Sequence, residues 1–293
     1  MPELIKDDEF ALISRYITEI CGIVIPPEKY YLIETRLFKL ILDYGVESFD
    51  EFYRKVIQPG NIQSGNTDVN QKIINAITVN ETFWFRDAVL WKGFEREILP
   101  GLIEKLVSGN KTRIRIWSAA ASTGQEAYSI AMCIDNYLKR NNITRIKLSH
   151  FEIFATDIST RVLEIAQNGR YDNISMTRGM NDHYKAAYFK NNGTSWDLDT
   201  YIKNTVKFDN FNLLDSYTGF GIFDVIFCRY VLIYFPEFVK MGIISRMFDS
   251  LAAGGVLFTG NYVLYDLLRK KFDVNNYENL TYYTKSSSAT KLI

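Results

Sequence analysis

Residues 113–132, RIRIWSAAASTGQEAYSIAM, have the spacing best suited to holding a ligand. Ile114, Ile116 and Trp117 read as a short buried strand. Small residues follow from Ser118 to Gly124, and then Ala127, Ile130, Ala131 and Ile134 share one helical face. Strand, small-residue turn and helix together open a nucleotide-binding α/β unit. Small side chains let a ligand approach the backbone, and a helix N-terminus offers unpaired N–H groups. The turn is not GxGxxG, so an ordinary strand-to-helix turn is the competing reading of this segment alone.

Asp157 follows the next apolar run, Phe151–Ala155. An acidic residue there accepts hydrogen bonds from ribose hydroxyls, or else caps the helix Ser159–Gln167. It lies 157 − 124 = 33 residues after Gly124, beyond the usual ~20, and the polar loop Lys139–Lys147 accounts for the excess. Arg229 and Tyr230 end the apolar run FDVIFC, at the strand end where open α/β sheets bind ligands. Phe83, Trp84 and Phe85 lie between Asn80, Glu81, Thr82 and Arg86. They read either as cement between two domains or as a ligand-facing segment at the junction.

Other chemistries have little to work with. The two histidines, His150 and His183, stand apart from any Cys or carboxylate cluster, which argues against a His-based metal centre or a Ser/His/Asp triad. Cys21, Cys133 and Cys228 are far apart in apolar contexts, as reduced core thiols would be. Lys plus Arg equals Asp plus Glu at 34 each, so no global field draws in nucleic acid or anionic lipid. No apolar run reaches the roughly 18–20 residues that span a bilayer, and MPELIKDDEF lacks the pattern of a signal peptide. A cytoplasmic protein is expected.

The elements that must position these residues follow from periodicity. Helices are expected from Phe10 to Cys21, Glu28 to Tyr44 and Phe49 to Ile57, then a loop over Gly60–Asp68 and a helix leading from Val69 into the boundary at Asp87. Lys29, Arg36 and Lys39 share an outer face of the second helix, most simply a solvated one. A helix Leu90–Val107 precedes the first strand. Gly and Asn punctuate residues 172–209, which read as a small, separable β-rich insertion for packing or partner contact. Trp196–Tyr201 and Asn204–Phe208 are its candidate antiparallel strands. The α/β rhythm resumes with the strand Phe223–Cys228, a helix Glu237–Leu251, the strand Val256–Thr259 and a last strand Leu280–Lys285.

Four blocks in this order, NETFWFR (80–86), WSAAASTGQEAYSIA (117–131), ATDI (155–158) and FDVIFCRYVLIYF (223–235), resemble the chemotaxis receptor glutamate methyltransferases, the CheR family, over nearly the full length. The resemblance implies an all-α N-terminal domain (1–78) and an α/β, Rossmann-like S-adenosylmethionine methyltransferase domain (79–293) with a small inserted antiparallel β subdomain. It implies that Asn80, Thr82 and Arg86 reach the cofactor or active site from the junction. Ala119, Glu126 and Asp157 would hold cofactor groups, Asp157 the ribose. Asn212 and Leu213 match the segment beside the adenine, Arg229 and Tyr230 the cofactor-facing strand end, and Tyr234 lines the methyl-transfer cleft. The chain departs from the pattern at Gln125 and Ala127 (Glu and Pro in the family), at Tyr230 (usually Asn), and at Gly260-Asn261-Tyr262-Val263 (Gly-His-Ser-Glu). Its second helix is also less basic.

The implied chemistry agrees with the scarcity of histidine. A glutamate carboxylate, with an ordinary pKa of about 4.3, is ionised at neutral pH, and a sulfonium methyl is already activated. Transfer needs the two atoms aligned and dry, with no base or metal. Arg86 is the candidate for orienting the carboxylate and Tyr234 for donating a hydrogen bond near the reacting centre. The expected function is methylation of glutamates on the cytoplasmic helices of methyl-accepting chemotaxis receptors by a monomer, with S-adenosylhomocysteine as product. A catalytically weak, cofactor-binding signalling module of the same fold is the alternative, kept open by Tyr230 and the altered 261–263 turn.

Overall fold

A computed structural model describes residues 4–58, 67–260 and 271–286, so the departures at Asn261, Tyr262 and Val263 lie outside the described residues. The N-terminal part holds α1 (Asp7–Cys21), α2 (Tyr30–Asp43), α3 (Phe49–Phe52, continuing to Ile57 as a π turn) and α4 (Thr67–Ile77). Ile13, Ile17 and Cys21 recur every four residues on α1, as do Ile33, Leu37 and Ile41 on α2. Both stripes are buried against Ile73 and Ile77 of α4 in one apolar core. Gly22, at φ +75°, ends α1 and returns its N–H to the Thr18 carbonyl at 2.8 Å.

Next come α5 (Ala88–Gly93) and α6 (Leu99–Val107), linked by a π turn, Phe94–Ile98. The single helix expected over 90–107 is interrupted there. Pro100 has no N–H for the regular ladder, and the wider turn lies just before it.

The sheet contains β1 (Ile114–Ala119), β2 (Phe151–Asp157), β6 (Val206–Asn210), β7 (Phe223–Phe227), β8 (Leu251–Phe258), β9 (Phe272–Tyr277) and β10 (Leu280–Lys285). Its spatial order is β6-β2-β1-β7-β8-β10-β9. The first five strands run parallel, and β10 pairs antiparallel with both β8 and β9. Between β1 and β2 runs α7 (Gln125–Arg140); α8 (Thr160–Asn168) follows β2 and α11 (Glu237–Asp249) precedes β8. Alternate β1 residues serve different cores. Ile114 and Ile116 pack with α5, α6 and α7, whereas Trp117 and Ala119 pack with α11 and the 211–220 loop. Chain order reverses between β1 and β7, and such a switch point leaves a crevice at the strand carboxyl ends.

Further elements differ from the sequence-based expectations. The strand near Asn204–Phe208 lies in the main sheet: Val206–Asn210 pairs parallel with β2, Ile153 to Val206 through Asp157 to Asn210. As an edge strand it carries Lys207 and Asp209 among its exposed and half-buried positions, which disguised it as part of a surface ribbon. The inserted sheet is therefore β3 (Arg170–Asp172), β4 (Phe189–Asn191) and β5 (Ser195–Leu198), in the order β3-β5-β4, with α9 (Asp182–Tyr188) between β3 and β4 and α10 (Thr200–Lys203) after β5. Nor is it separable: Tyr171, Tyr184, Tyr188 and Leu198 join the core of β1 and α7. Finally, β8 begins at Leu251, ahead of the strand expected from Val256, and carries a bulge where the pairing with β7 shifts register and Gly254 takes φ +67°. The strand β9 had not been anticipated.

Candidate active site

A cavity of about 330 Å³ opens at the carboxyl ends of β1, β2 and β7 and is walled on its other side by the N-terminal helices. Asn80, Thr82, Arg86, Glu126, Asp157, Asn212, Leu213, Arg229, Tyr230 and Tyr234 all line it. Ala119 does not: it is buried at the end of β1, and Ala120, Ala121 and Ser122 take its place on the wall. Ala120 (φ +59°) and Ser122 (φ +51°) are in the left-handed region, and Gly124 takes φ +92°. A Cβ on Gly124 would stand 2.9 Å from that of Ala166, so the turn is drawn tightly over α8.

Asp157 is buried under this turn. One carboxylate oxygen accepts the Ser122 N–H at 2.8 Å and the other accepts the Ser159 N–H at 2.9 Å. Burial raises its pKa above the ordinary aspartate value, and the two amides oppose that rise. Asp157 thus holds the Ser159 N–H just before α8, and its oxygens still have lone pairs beside the cavity.

A second polar group lies across the floor. Arg229 is 6% exposed and donates to the Glu126 carboxylate at 2.7 Å, to the Arg86 carbonyl at 3.0 Å and to the Asp87 carboxylate. Burial works against the cation, and the Glu126 and Asp87 carboxylates overcome it, leaving its pKa raised. The other Glu126 oxygen accepts the Ser118 hydroxyl at 2.7 Å. The Arg229 Nε–H is buried without a protein partner among the described residues. Arg86 is half-buried, and its Nη1 donates to the Glu81 carbonyl at 3.3 Å. Tyr234 also lines the cavity, and its carbonyl accepts the Val24 N–H at 3.2 Å.

Contacts from two directions hold the 80–87 segment in place. The Ser122 hydroxyl donates to the Asn80 carbonyl at 2.9 Å. The Trp84 ring lies edge-on to Tyr171 and Phe189 of the insertion, while Tyr171 donates its hydroxyl to the Thr123 carbonyl at 2.8 Å. Gly179 fits so closely over Trp84 that a Cβ would fall 1.8 Å from the Trp84 carbonyl oxygen. On the opposite wall, the Asn212 amide donates to the Ile20 carbonyl at 2.9 Å, and Arg36 donates to the Ile77 and Thr78 carbonyls at 2.6 and 3.2 Å.

Sequence reasoning missed Asp87, Ser118, Ser122 and the N-terminal wall of Val24, Lys29 and Arg36. Asp87 had one available signal: a buried arginine at a strand end needs carboxylate partners, and Asp87 adjoins Arg86. The N-terminal wall left no local signal, because it forms only when two parts of the chain meet.

Residues 80–278 match the family model described as the CheR methyltransferase SAM-binding domain, and residues 8–78 match the CheR methyltransferase all-alpha domain. The chain belongs to the CheR methyltransferase family. A chemotaxis protein methyltransferase of Pseudomonas aeruginosa is 38% identical over 253 residues, covering 86% of this chain and 88% of the relative. One of Vibrio parahaemolyticus is 36% identical over 271 residues, covering 92% and 94%. This CheR protein is an S-adenosylmethionine-dependent methyltransferase, and the cavity residues fit that cofactor. Small residues clear the approach to its backbone, Asp157 offers carboxylate oxygens, and the unpartnered Arg229 N–H suits an anionic group. Among the described residues no helix is long and apolar enough to cross a membrane.

Proposed function

We propose that the chain is a protein-glutamate O-methyltransferase acting on the cytoplasmic helices of methyl-accepting chemotaxis receptors. It works as a cytoplasmic monomer with no nucleic-acid partner, with residues 1–78 as the helical domain and 79–293 as the methyltransferase domain. The reading is carried by the convergence of Arg86, Glu126, Asp157, Arg229 and Tyr234 on one cavity, in a chain whose relatives are named chemotaxis protein methyltransferases.

When bound, S-adenosylmethionine supplies a methyl group activated by its sulfonium. Asp157 would accept the ribose hydroxyls and Asn212 and Leu213 would hold the adenine, while Glu126 holds Arg229 in the floor. Asn80, Thr82 and Tyr230 complete the cofactor wall. Arg86 receives a carboxylate on its planar fork, setting angle as well as distance. Tyr234 donates to the reacting carboxylate. The N-terminal helices and the 80–87 segment exclude water, which would otherwise solvate the nucleophile. The glutamate enters already ionised, so no proton has to be removed.

The test is radiolabelled methyl transfer to membranes carrying the cognate receptors, with the label released as methanol by base. Label in the receptor band that is lost to base supports the reading; base-stable label means another acceptor atom. Arg86→Lys keeps the charge without the fork. It should retain cofactor binding and lose on the order of a hundredfold in rate, the cost of about 1 Å of misplacement. A wild-type protein that binds cofactor and leaves its receptors unlabelled would instead support the signalling-module alternative.

A further inference from the structure

Tyr230 is in a conformation that its residue type resists. Its φ is +59°, in the left-handed region where Asn is tolerated and a bulky ring is uncommon. Three side-chain contacts hold it there, one of them the Arg229 guanidinium carbon 5.2 Å from its ring centroid. Its hydroxyl donates to the Asp87 carboxylate, and the Arg86 guanidinium carbon lies 3.5 Å from its ring centroid. The Phe83 ring is 5.2 Å from the same guanidinium. Gly260 leaves room for the ring: even a Cβ added there would be 3.7 Å from it.

A guanidinium stacked on a ring uses its flat face. Its N–H donors lie in the plane, at the edge, and the stack leaves them free. Only Nη1 of Arg86 is engaged among the described residues, with the Glu81 carbonyl. We propose that Tyr230 is a positioning residue: its ring fixes the plane of Arg86 so that the guanidinium edge presents a ready fork to a carboxylate in the cavity. Tyr230, besides lining the cavity, then acts on the bound carboxylate through Arg86. Asp87 ties the arrangement to the floor, because the same carboxylate accepts from Arg229.

This inference rests on the role given to Arg86 above. The carboxylate has two sources, the methionyl part of the cofactor or the acceptor glutamate, and the experiment separates them. Binding of S-adenosylhomocysteine and of 5′-methylthioadenosine, which lacks the amino-acid part, is measured by calorimetry on wild type, Tyr230→Asn and Tyr230→Phe. Asn suits the backbone and removes the ring. Phe keeps the ring and removes only the hydroxyl.

If the fork holds the cofactor's carboxylate, Tyr230→Asn weakens S-adenosylhomocysteine about tenfold and leaves methylthioadenosine unchanged, the loss expected for one partly desolvated cation–π contact. If it holds the acceptor's, both binding constants stay, and kcat for receptor methylation falls about tenfold with a smaller change in the receptor KM. In both cases Tyr230→Phe stays within about threefold of wild type, because the ring contact is retained. Melting temperature does not fall with activity in Tyr230→Asn, since the backbone strain is relieved, and a purely structural role would make the two fall together. On an Arg86→Ala background Tyr230→Asn adds no further loss, as expected for two residues acting as one unit. An unchanged Tyr230→Asn protein, equal losses in Asn and Phe, or additive losses with Arg86→Ala would each overturn the proposal. Where wild type binds S-adenosylhomocysteine yet methylates no receptor, the receptor reading fails and the binding comparison alone decides this one.

Discussion

Replacing Asp157 by alanine separates its two roles, because the structure assigns each its own cost. Both carboxylate oxygens are engaged by backbone amides, those of Ser122 and Ser159, at a residue 6% exposed. Asp157→Ala removes both acceptors and leaves two buried N–H groups, each at about 1–2 kcal/mol. The fall in stability is then about 2–4 kcal/mol, moderated because a buried carboxylate is no longer desolvated. For a chain of this size each kcal/mol moves the melting temperature by about 2–4 °C, so a drop of roughly 5–15 °C is expected. Lost hydrogen bonds from the ribose to a charged acceptor add about 1.5–3 kcal/mol to the binding deficit, a weakening of roughly 10- to 150-fold. Asp157→Asn keeps one acceptor and turns an NH2 toward the other amide, so it should lie between wild type and alanine on both scales. Thermal melts without ligand give the first quantity. Calorimetry with S-adenosylhomocysteine, at a temperature where every variant is folded, gives the second. A folded alanine variant with wild-type affinity would remove Asp157 from the cofactor site. An unchanged melting temperature would contradict the two amide bonds.

Three further outcomes are expected. Arg229→Met leaves the Glu126 and Asp87 carboxylates without their buried partner and should cost about 3–5 kcal/mol in chemical unfolding; a cost under ~1 kcal/mol would mean that water already screens the pair. Gly179→Ala introduces a Cβ 1.8 Å from the Trp84 carbonyl oxygen at φ +77°, so it should lower both melting temperature and cofactor affinity by displacing the 80–87 segment, and a wild-type melt would refute the close contact. The pKa of Asp157 is raised in the folded protein, so its protonated form favours folding and that contribution is lost as pH rises through the folded pKa, whereas ribose hydroxyls favour the ionised form. Affinity for S-adenosylhomocysteine should therefore fall on acidification at a higher pH than an ordinary aspartate would give, and Asp157→Asn should flatten that profile.

Much of the fold was legible from local patterns. The apolar stripes of α1 and α2 are set by i, i+4 spacing, and the near-continuous apolar run of β7 marks a strand covered on both faces. The small-residue turn and the acid after β2 also follow from chain order alone, because each lies next to the element that positions it. Sequence patterns failed where a segment's identity depends on a distant partner. The strand β6 joins the main sheet only by pairing with β2, about fifty residues earlier in the chain. The insertion looked separable because its Gly and Asn turns are local, while its attachment through Trp84, Tyr171 and Phe189 is not.

The same division runs through the site. The resemblance to the family, more than residue spacing, named ten residues that line the cavity, but it misplaced Ala119, which β1 draws into the core while the turn after it faces the ligand space, and it said nothing of the N-terminal wall. Only the tertiary structure decided how the charges pair. Asp87 meets Arg229 and Tyr230 across 142 and 143 residues of chain, and Arg86 finds its ring on Tyr230. A buried cation must find its carboxylates wherever packing brings them, and spacing along the chain carries no record of that.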